Sequence, residues 1–314
     1  MTWRPHVSVV VPTYRRPEFL GRAIASVAEQ TVSSWELIIV DDNPPESSAR
    51  SETRAIASSY ASDKRIRYIC HDENRGGAAA RNTGIRLATA PYVAFLDDDD
   101  EWHPTKLERQ LECLENSPNQ TALVYCRTRL VDVVTGSETV QRIDGRSHAV
   151  KDLLVQNTIG STSCVLCRVE AVQDVGMFDE TLPARQDQDL YLQLALRYEF
   201  AFVDAVLVTV YIHDHPRIST DFAGSVAAHD LFYEKYRPRI EADPHVVRIM
   251  RHQQGKHLVA AQRYREARTL LTQAWLAKPS DLAVLTRLAM TFSLARWFVG
   301  PIKRFRRFVR SALR

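Results

Sequence analysis

The sequence contains the stretch Tyr92-Val-Ala-Phe-Leu-Asp-Asp-Asp-Asp100, in which a short apolar run leads into four consecutive aspartates. The apolar part is short and rich in β-forming residues, so it predicts a buried strand. Adjacent carboxylates take up protons when they are buried, unless a cation offsets their charge. Because hard oxygen ligands suit Mg²⁺ and Mn²⁺, this strand end indicates a divalent-metal site. A solvated acidic turn is the alternative for the run taken alone.

The residues around this stretch predict alternating strands and helices. Strands are expected at 6–11, 35–40, 66–70 and 92–96, and helices at 17–30, 47–60, 78–88 and from 104 onward. This order implies an α/β fold with a doubly wound, mostly parallel sheet. Ligands of such sheets bind beyond the carboxyl ends of the strands, where Asp41, Asp42 and the aspartate run are all expected.

The pattern changes after residue 122. Longer apolar strands are expected at 123–134, 163–169 and 200–211, with a helix near 190–198. These strands are expected to add antiparallel pairs to the sheet. From residue 223 the sequence predicts helices only, and residues 255–280 have the spacing of a helical hairpin. We therefore expect an α/β domain over 1–222 and a helical carboxy-terminal region over 223–314.

Composition and charge limit the class of protein and its partners. With 45% hydrophobic and 25% charged residues, the 314-residue chain has the composition of a soluble globular protein. The first apolar stretch, 7–11, is too short for a signal peptide, and five scattered cysteines suit a reducing cytosol. The net charge of +3 comprises −5 for residues 1–281 and +8 for the remainder, which has no acidic residue. A basic tail on an acidic body indicates an anionic partner.

The basic tail, residues 294–314, combines aromatic and aliphatic residues at helical spacing with cations on the other face. Such an amphipathic helix suits the surface of an anionic bilayer, and its arginines prevent it from spanning one. We therefore expect a cytoplasmic protein that is peripheral on the inner face of the cell membrane. Nucleic-acid binding and a solvated tail are the alternatives, but no recognised nucleic-acid reader accompanies the tail, and nucleic acid is not an expected partner.

Five motifs, in this order along residues 6–222, resemble the family 2 glycosyltransferases, which have the GT-A fold of the nucleotide-diphospho-sugar transferases. Residues 7–16 resemble the first strand and nucleotide loop of that family, 37–42 its second strand, 74–82 its donor loop, 95–100 its Asp-any-Asp metal motif, and 175–190 the late segment with the catalytic base. The resemblance implies a nucleotide-diphospho-sugar donor, with a UDP-sugar expected. The residues expected to bind this donor are Pro12, Thr13, Tyr14, Arg16, Asp41, Asp42, Arg81, Asp97 and Asp98.

The resemblance also implies a metal and a base. Asp97 and Asp99 are expected to bind Mn²⁺ or Mg²⁺, with His213 preferred over His215 as a further ligand. Asp187 matches the position of the base, which implies in-line displacement with inversion at the anomeric carbon. Its neighbour Gln186 departs from the glutamate that the family often has there.

Structural alternatives remain open for several of these residues. Asp42 would only cap the following turn, and Arg81 would be a surface arginine. Asp187 and Asp189 would only begin a helix, since acidic residues favour helix amino termini. Each alternative differs from the functional hypothesis in the contacts that the side chain makes.

The expected function is an inverting, metal-dependent glycosyltransferase that moves a sugar from a nucleotide-diphosphate donor to a glycan or lipid-linked hydroxyl, in cell-surface polysaccharide synthesis. A nucleotidyltransferase is one alternative, but it would need a second phosphate pocket, and basic residues are sparse near Asp187. A non-catalytic nucleotide-sugar-binding protein is another, and it would not need an aspartate at position 187.

Overall fold

A computed structural model describes residues 4–143, 145, 149–213 and 222–292 and divides the chain into two compact units. The larger unit comprises Met1–Thr181 and Gln186–His215, and the smaller one comprises Leu182–Arg185 and Pro216–Arg314. The domain boundary expected between residues 222 and 223 adjoins residues 214–221, which lie outside the described part. That boundary stays a prediction.

The first half of the larger unit is a parallel α/β sheet. Its strands are β1 (Val7–Thr13), β2 (Trp35–Asp41), β3 (Ile66–Cys70) and β4 (Tyr92–Phe95), in the spatial order β3-β2-β1-β4. The connecting helices are α1 (Pro17–Ala28), α2 (Ser48–Ser59) and α3 (Gly77–Leu87). All seven residues of β2 are buried, as expected for an internal parallel strand covered on both faces. The sequence periodicity therefore predicted this half well.

The second half of the larger unit adds antiparallel pairs. Its strands are β5 (Asp100–Trp102), β6 (Thr121–Asp132), β7 (Glu138–Val140), β8 (Val165–Arg168) and β9 (Glu199–Ile212). Its helices are α4 (Lys106–Glu115), α5 (Val150–Val155), α6 (Val169–Asp174) and α7 (Gln186–Ala195), with a 3₁₀ turn at Thr162–Cys164. β8 runs antiparallel to β4 and β6, and β5 runs antiparallel to β9, but β6 and β9 pair in parallel, which the sequence did not predict. The sheet order is therefore β3-β2-β1-β4-β8-β6-β9-β5, with β7 paired to β6.

Two elements differ from the sequence expectation. The acidic residues of β5 gave no strand signal, and the strand exists because Asp100 and Trp102 pair with Val210 and Val208 of β9. α7 begins at Gln186, earlier than the helix expected near 190–198. Both differences lie beside the predicted site, and the first arises from pairing between distant parts of the chain.

A glycine brings α3 close to β1. A Cβ atom built on Gly84 would lie 2.3 Å from Cγ1 of Val10, which is fully buried in β1. Since carbon atoms pack at about 3.5–4.0 Å, only a residue without a side chain permits this approach. The close packing fixes α3 and the loop before it against the sheet.

The smaller unit consists of helices α8 (Phe222–Glu241), α9 (Pro244–Ala260), α10 (Tyr264–Ala277) and α11 (Leu282–Ala289). α9 and α10 form a hairpin that packs closely at Gly255, where a Cβ atom would lie 2.6 Å from Cγ of Leu271. The hairpin expected over 255–280 thus begins earlier, because Gly255 lies within α9. None of the helices among the described residues is both long and apolar enough to cross a membrane. The basic tail lies outside the described residues.

Candidate active site

The carboxyl ends of β1, β2 and β4 lie side by side because these strands pair in parallel. The register sets Thr13 opposite Asp41 and Val10 opposite Phe95. The loops that follow these strands carry most of the residues expected to bind nucleotide and metal. The sheet thus brings these loops together at one edge, as the doubly wound topology predicts.

Arg16 bridges two members of the acidic cluster, Asp97–Asp100. Its Nη2 lies 2.6 Å from Oδ1 of Asp98, and its Nη1 lies 2.5 Å from Oδ2 of Asp99. Arg22 donates from Nη2 to the backbone oxygen of Asp99 at 2.9 Å. The Asp98 side chain is fully buried, whereas a third of the Arg16 side chain is exposed. Arg16, which is expected to bind the donor, therefore lies on the solvent side of these carboxylates.

Arg81 and two hydroxyl groups hold the other members. Arg81 Nη2 lies 2.5 Å from Oδ1 of Asp97, which also accepts a hydrogen bond from Thr162 at 3.2 Å. Ser163 accepts the Asp97 backbone N–H at 3.1 Å and donates to Oδ2 of Asp100 at 2.5 Å. Burial alone would raise the pKa of Asp97, but the charge of Arg81 lowers it below its usual value. The alternative of a solvent-exposed Arg81 is therefore wrong: its side chain is only 13% exposed.

The charges of the cluster fit a divalent cation. Three carboxylates, those of Asp97, Asp98 and Asp99, share the two guanidinium groups of Arg16 and Arg81 in these ion pairs, whereas Asp100 accepts a hydrogen bond from Ser163. Burial, together with neighbouring carboxylates, raises the pKa of Asp98 to about 7 and that of Asp100 well above its usual value. Carboxylate oxygens are the ligands that Mg²⁺ and Mn²⁺ prefer. In this arrangement the described residues hold no group of three His, Cys, Asp or Glu side chains positioned to bind a metal ion.

His213 lies just beyond the end of β9. Its ring stacks on Phe19, with 4.2 Å between the ring centroids, and lies 6.2 Å from the ring of Tyr211. The register of β5 and β9 pairs Asp100 with Val210, three residues before His213. The expectation that His213 binds the metal stays a prediction, and His215 lies outside the described residues.

Asp41 is fully buried at the end of β2, where protein groups surround its carboxylate. Oδ1 accepts hydrogen bonds from the backbone N–H of Asn43 at 2.9 Å and from its Nδ2 at 2.7 Å. Oδ2 accepts from the Tyr68 hydroxyl and lies 3.4 Å from Nε of Arg50. Asp41 thus braces the loop after β2, and its predicted contact with the nucleotide remains untested.

Asp42 holds the glycine turn that precedes α3. Its Oδ1 accepts from the backbone N–H of Arg75 at 2.9 Å and from Nδ1 of His71 at 2.7 Å. Its Oδ2 accepts from the backbone N–H of Gly76 and from Nδ2 of Asn74, both at 2.8 Å. These contacts supply the turn-capping role that was the alternative to nucleotide binding. The binding role stays a prediction.

The end of β1 leads into a tight loop. Thr13 is buried, and its backbone oxygen accepts the N–H of Asp42 at 3.0 Å, while Pro12 and Tyr14 are half-buried. The loop turns at Arg15, whose φ of 58° is left-handed and whose N–H donates to Oδ1 of Asn43 at 2.8 Å. The residues expected to line the nucleotide pocket thus lie beside Asp42.

Asp187 lies in the first turn of α7, as does Asp189, so the helix-start alternative describes their position correctly. The Asp187 carboxylate is held by two donors. Oδ1 accepts the N–H of Gln188 at 2.7 Å, and Oδ2 accepts Nδ2 of Asn157 at 2.6 Å. Burial raises the pKa of Asp187, Arg81 opposes that shift, and Asp97 adds to it. Asp187 therefore shares the electrostatic environment of the acidic cluster.

Sequence reasoning missed several residues that shape this site. Asn157, Thr162 and Ser163 belong to one segment between β7 and β8 that contacts both Asp187 and the acidic cluster. Arg22 also reaches the cluster, from α1. None of these residues belongs to a motif with a distinctive spacing, so the sequence alone carried no signal for them.

Comparison with known proteins identifies relatives of the chain. The sequence model of glycosyl transferase family 2 matches residues 8–176, more than half of the chain. An uncharacterized glycosyltransferase of Rickettsia bellii is 34% identical over 218 residues, which are 68% of this chain but only 30% of the relative. The amylovoran biosynthesis glycosyltransferase AmsB of Erwinia amylovora is 27% identical over 72% of this chain and 75% of its own length.

Two solved structures share the fold. Residues 1–349 of TarS from S. aureus, in complex with UDP-GlcNAc, match with a TM-score of 0.63 at 16% identity, over 92% of this chain and 87% of that one. The mannosyltransferase PcManGT from Pyrobaculum calidifontis, in complex with GDP-Man and Mn²⁺, matches with a TM-score of 0.58 at 18% identity, over 95% and 84%. These likenesses confirm the predicted fold class. The match of the family model over residues 8–176, with the motifs at the strand ends, establishes that the chain belongs to glycosyl transferase family 2.

Proposed function

We propose that this chain is an inverting, metal-dependent glycosyltransferase that moves a sugar from a nucleotide-diphosphate donor to a hydroxyl group of a glycan or lipid-linked acceptor. One observation carries the proposal. Asp187 accepts a hydrogen bond from Asn157 at 2.6 Å, and Asp97 of the acidic cluster accepts one at 3.2 Å from Thr162, five residues later in the same segment. Asp187, the candidate base, and the acidic cluster, where the diphosphate would leave, therefore belong to one site.

The base step follows from the position of Asp187. Its carboxylate takes the proton of the acceptor hydroxyl, whose oxygen then forms the new bond to the anomeric carbon. The bond between this carbon and the diphosphate oxygen breaks, and its electron pair leaves with the diphosphate. Attack on the face opposite the leaving group inverts the anomeric carbon. Burial raises the pKa of Asp187, which makes it a stronger base than an exposed aspartate.

The acidic cluster is proposed to manage the leaving group. Asp97 and Asp99 would hold Mn²⁺ or Mg²⁺, an ion that neutralises the departing diphosphate when bound. The three carboxylates that share two guanidinium groups, and the Mn²⁺ complex of PcManGT, support this part of the proposal. Arg16 and Arg81 lie at the same carboxylates and would pair with the phosphates. Asp98 lies beside them and would reach the ribose.

The donor and the biological role are also proposals. A UDP-sugar is the favoured donor because TarS, which shares the fold, has been solved with UDP-GlcNAc. Thr13 and Tyr14 would line the base pocket, and Asp41 and Asp42 lie beside them. Synthesis of a cell-surface polysaccharide is the favoured role because the AmsB relative functions in amylovoran biosynthesis. Family membership favours glycosyl transfer over the nucleotidyl transfer that the aspartates alone left open.

Two substitutions test the assignment. Asp187→Asn should abolish transfer but leave nucleotide binding intact, because the amide cannot accept the proton. Asp99→Ala should weaken Mn²⁺-dependent nucleotide binding. Asp204→Asn is the matched control, since this side chain is 69% exposed in an ion pair with Arg127 on β6. Transfer and UDP-sugar affinity are measured with and without Mn²⁺, and a wild-type transfer rate in Asp187→Asn would eliminate the proposed base.

We also propose that residues 294–314 bind the inner face of the cell membrane. Support comes from the cations and apolar residues of this tail, and from Leu276 and Leu282, which are 63% and 72% exposed on the helices before it. In a flotation assay, the full chain should float with vesicles of phosphatidylglycerol but not with neutral phosphatidylcholine vesicles. A chain that ends at Phe292 should remain in the dense bottom fraction of the gradient. Equal flotation of both chains would contradict the proposal.

A further inference from the structure

We propose that Asn157 is a positioning residue for Asp187, which holds the carboxylate in one orientation and in its charged, proton-accepting form. The inference rests on the proposed function, since it gives Asp187 the role of base. Asn157 lies thirty residues before Asp187 in the chain, in the loop between α5 and the 3₁₀ turn. It makes no ion pair and belongs to none of the family motifs.

The amide of Asn157 can point in only one direction. Its Oδ1 accepts two backbone N–H groups, those of Ile159 and Gly160, both at 3.0 Å. Its Nδ2 donates to the backbone oxygen of Gly160 at 2.8 Å and to Oδ2 of Asp187 at 2.6 Å. A flipped amide would set its oxygen against two acceptors and its NH₂ group against two donors. The turn therefore aims a donor at the base.

This donor, with a second one, favours the carboxylate over the carboxylic acid. Oδ1 of Asp187 accepts the N–H of Gln188 at 2.7 Å, so each oxygen already faces a hydrogen-bond donor. A protonated Asp187 would have to turn its O–H toward one of them. The other charged or titratable groups that act on this environment are Arg81, Asp97 and Tyr191. Of these, only Arg81 stabilises the charged form.

The same segment of chain also contacts the acidic cluster. Thr162 and Ser163, a few residues after Asn157, hydrogen-bond to Asp97 and Asp100. A single loop thus holds the base at one end and the cluster at the other. The distance between the proton acceptor and the leaving-group site therefore depends on this loop, and Asn157 is its link to the base.

The test removes the hydrogen bond that Asn157 donates to Asp187 but keeps an acceptor for the N–H groups of the turn. In Asn157→Ser, a serine hydroxyl can still accept the turn N–H groups but is too short to reach Asp187. We expect a folded protein with a lower melting temperature, because the two hydrogen bonds of Nδ2 are lost, and with unchanged nucleotide affinity. The kcat should be at least about tenfold lower, and the acid limb of the kcat profile should move up by about one pH unit, because a lost hydrogen bond destabilises the carboxylate. Wild-type kcat and pH profile in this variant would overturn the inference.

A second variant applies if Asn157→Ser fails to fold. Asn157→Asp keeps the shape of the side chain, and a proton shared by the two carboxyl groups can replace Nδ2 at low pH. Its activity should therefore fall as the pH rises and that proton leaves, and a wild-type pH profile in this variant would overturn the inference. Asp187→Asn separates the two levels of the argument. Full transfer by that variant refutes the base itself, whereas its inactivity beside a normal Asn157→Ser refutes only the role of Asn157.

Discussion

Asp42→Asn should destabilise the larger unit substantially, because it replaces one oxygen of a carboxylate whose two oxygens are both in use. Oδ1 accepts from His71 and from the Arg75 N–H, and Oδ2 accepts from Asn74 and from the Gly76 N–H, all at 2.7–2.9 Å. An asparagine has a single acceptor oxygen, so its NH₂ group must face one of these two pairs of donors. Two hydrogen bonds are lost, and a backbone N–H is left without its acceptor.

The magnitude follows from these contacts. Hydrogen bonds to charged groups contribute about 1.5–3 kcal/mol each, so the loss of two should lower the free energy of unfolding by about 3–6 kcal/mol. For a unit of this size, a change of 1 kcal/mol shifts the melting temperature by about 2–4 °C, so we expect a decrease of about 10 °C. The nucleotide affinity should decrease only to the extent that the lost hydrogen bonds change the conformation of the glycine turn.

Urea unfolding followed by tryptophan fluorescence provides the measurement, since Trp35 and Trp102 are buried in the larger unit. Asp72→Asn is the matched control, because Asp72 is exposed and lies between β3 and α3, in the loop whose backbone Asp42 holds. A variant Asp42→Asn within 0.5 kcal/mol of wild type would refute the turn-capping argument. If such a stable variant also lost its nucleotide affinity, the carboxylate would instead be a direct nucleotide ligand.

Arg16→Gln should bind Mn²⁺ several-fold more tightly in the absence of nucleotide, because the guanidinium no longer competes for the carboxylates. The same variant should bind nucleotide more weakly. An unchanged Mn²⁺ affinity, measured by electron paramagnetic resonance, would contradict this prediction. Burial lowers the pKa of Lys106 to about 8 from 10.5, so the unfolded chain binds more protons between these values and stability rises with pH there. In urea unfolding, the wild-type protein should gain up to about 3 kcal/mol of unfolding free energy between pH 8 and pH 10, and Lys106→Met should not. An equal pH dependence in both proteins would contradict the pKa shift of Lys106. Gly84→Ala should cost about 1–3 kcal/mol, since its Cβ would overlap Val10; a variant as stable as wild type by thermal unfolding would show that α3 can shift.

The local pattern of the chain was sufficient to predict most of the larger unit. Residues 35–40 are all apolar except Glu36, and the strand found there is Trp35–Asp41. The run at 92–96 and its aspartates were likewise expected at a strand end. Such elements are predictable because a continuous apolar run between turn residues leaves the chain few other ways to bury itself. The acidic β5 was missed because its only cause is pairing with β9, about a hundred residues later.

The sequence by itself determined which residue types meet at the carboxyl edge of the sheet, since strand order and motif spacing place aspartates after β2 and β4. Only the tertiary structure decided what each carboxylate contacts. Arg16 reaches Asp99 across 83 residues of sequence, and Asn157 reaches Asp187 across 30. Hydrogen bonds are directional and act over about 3 Å, so their partners depend on the packing of whole elements, which no local pattern encodes.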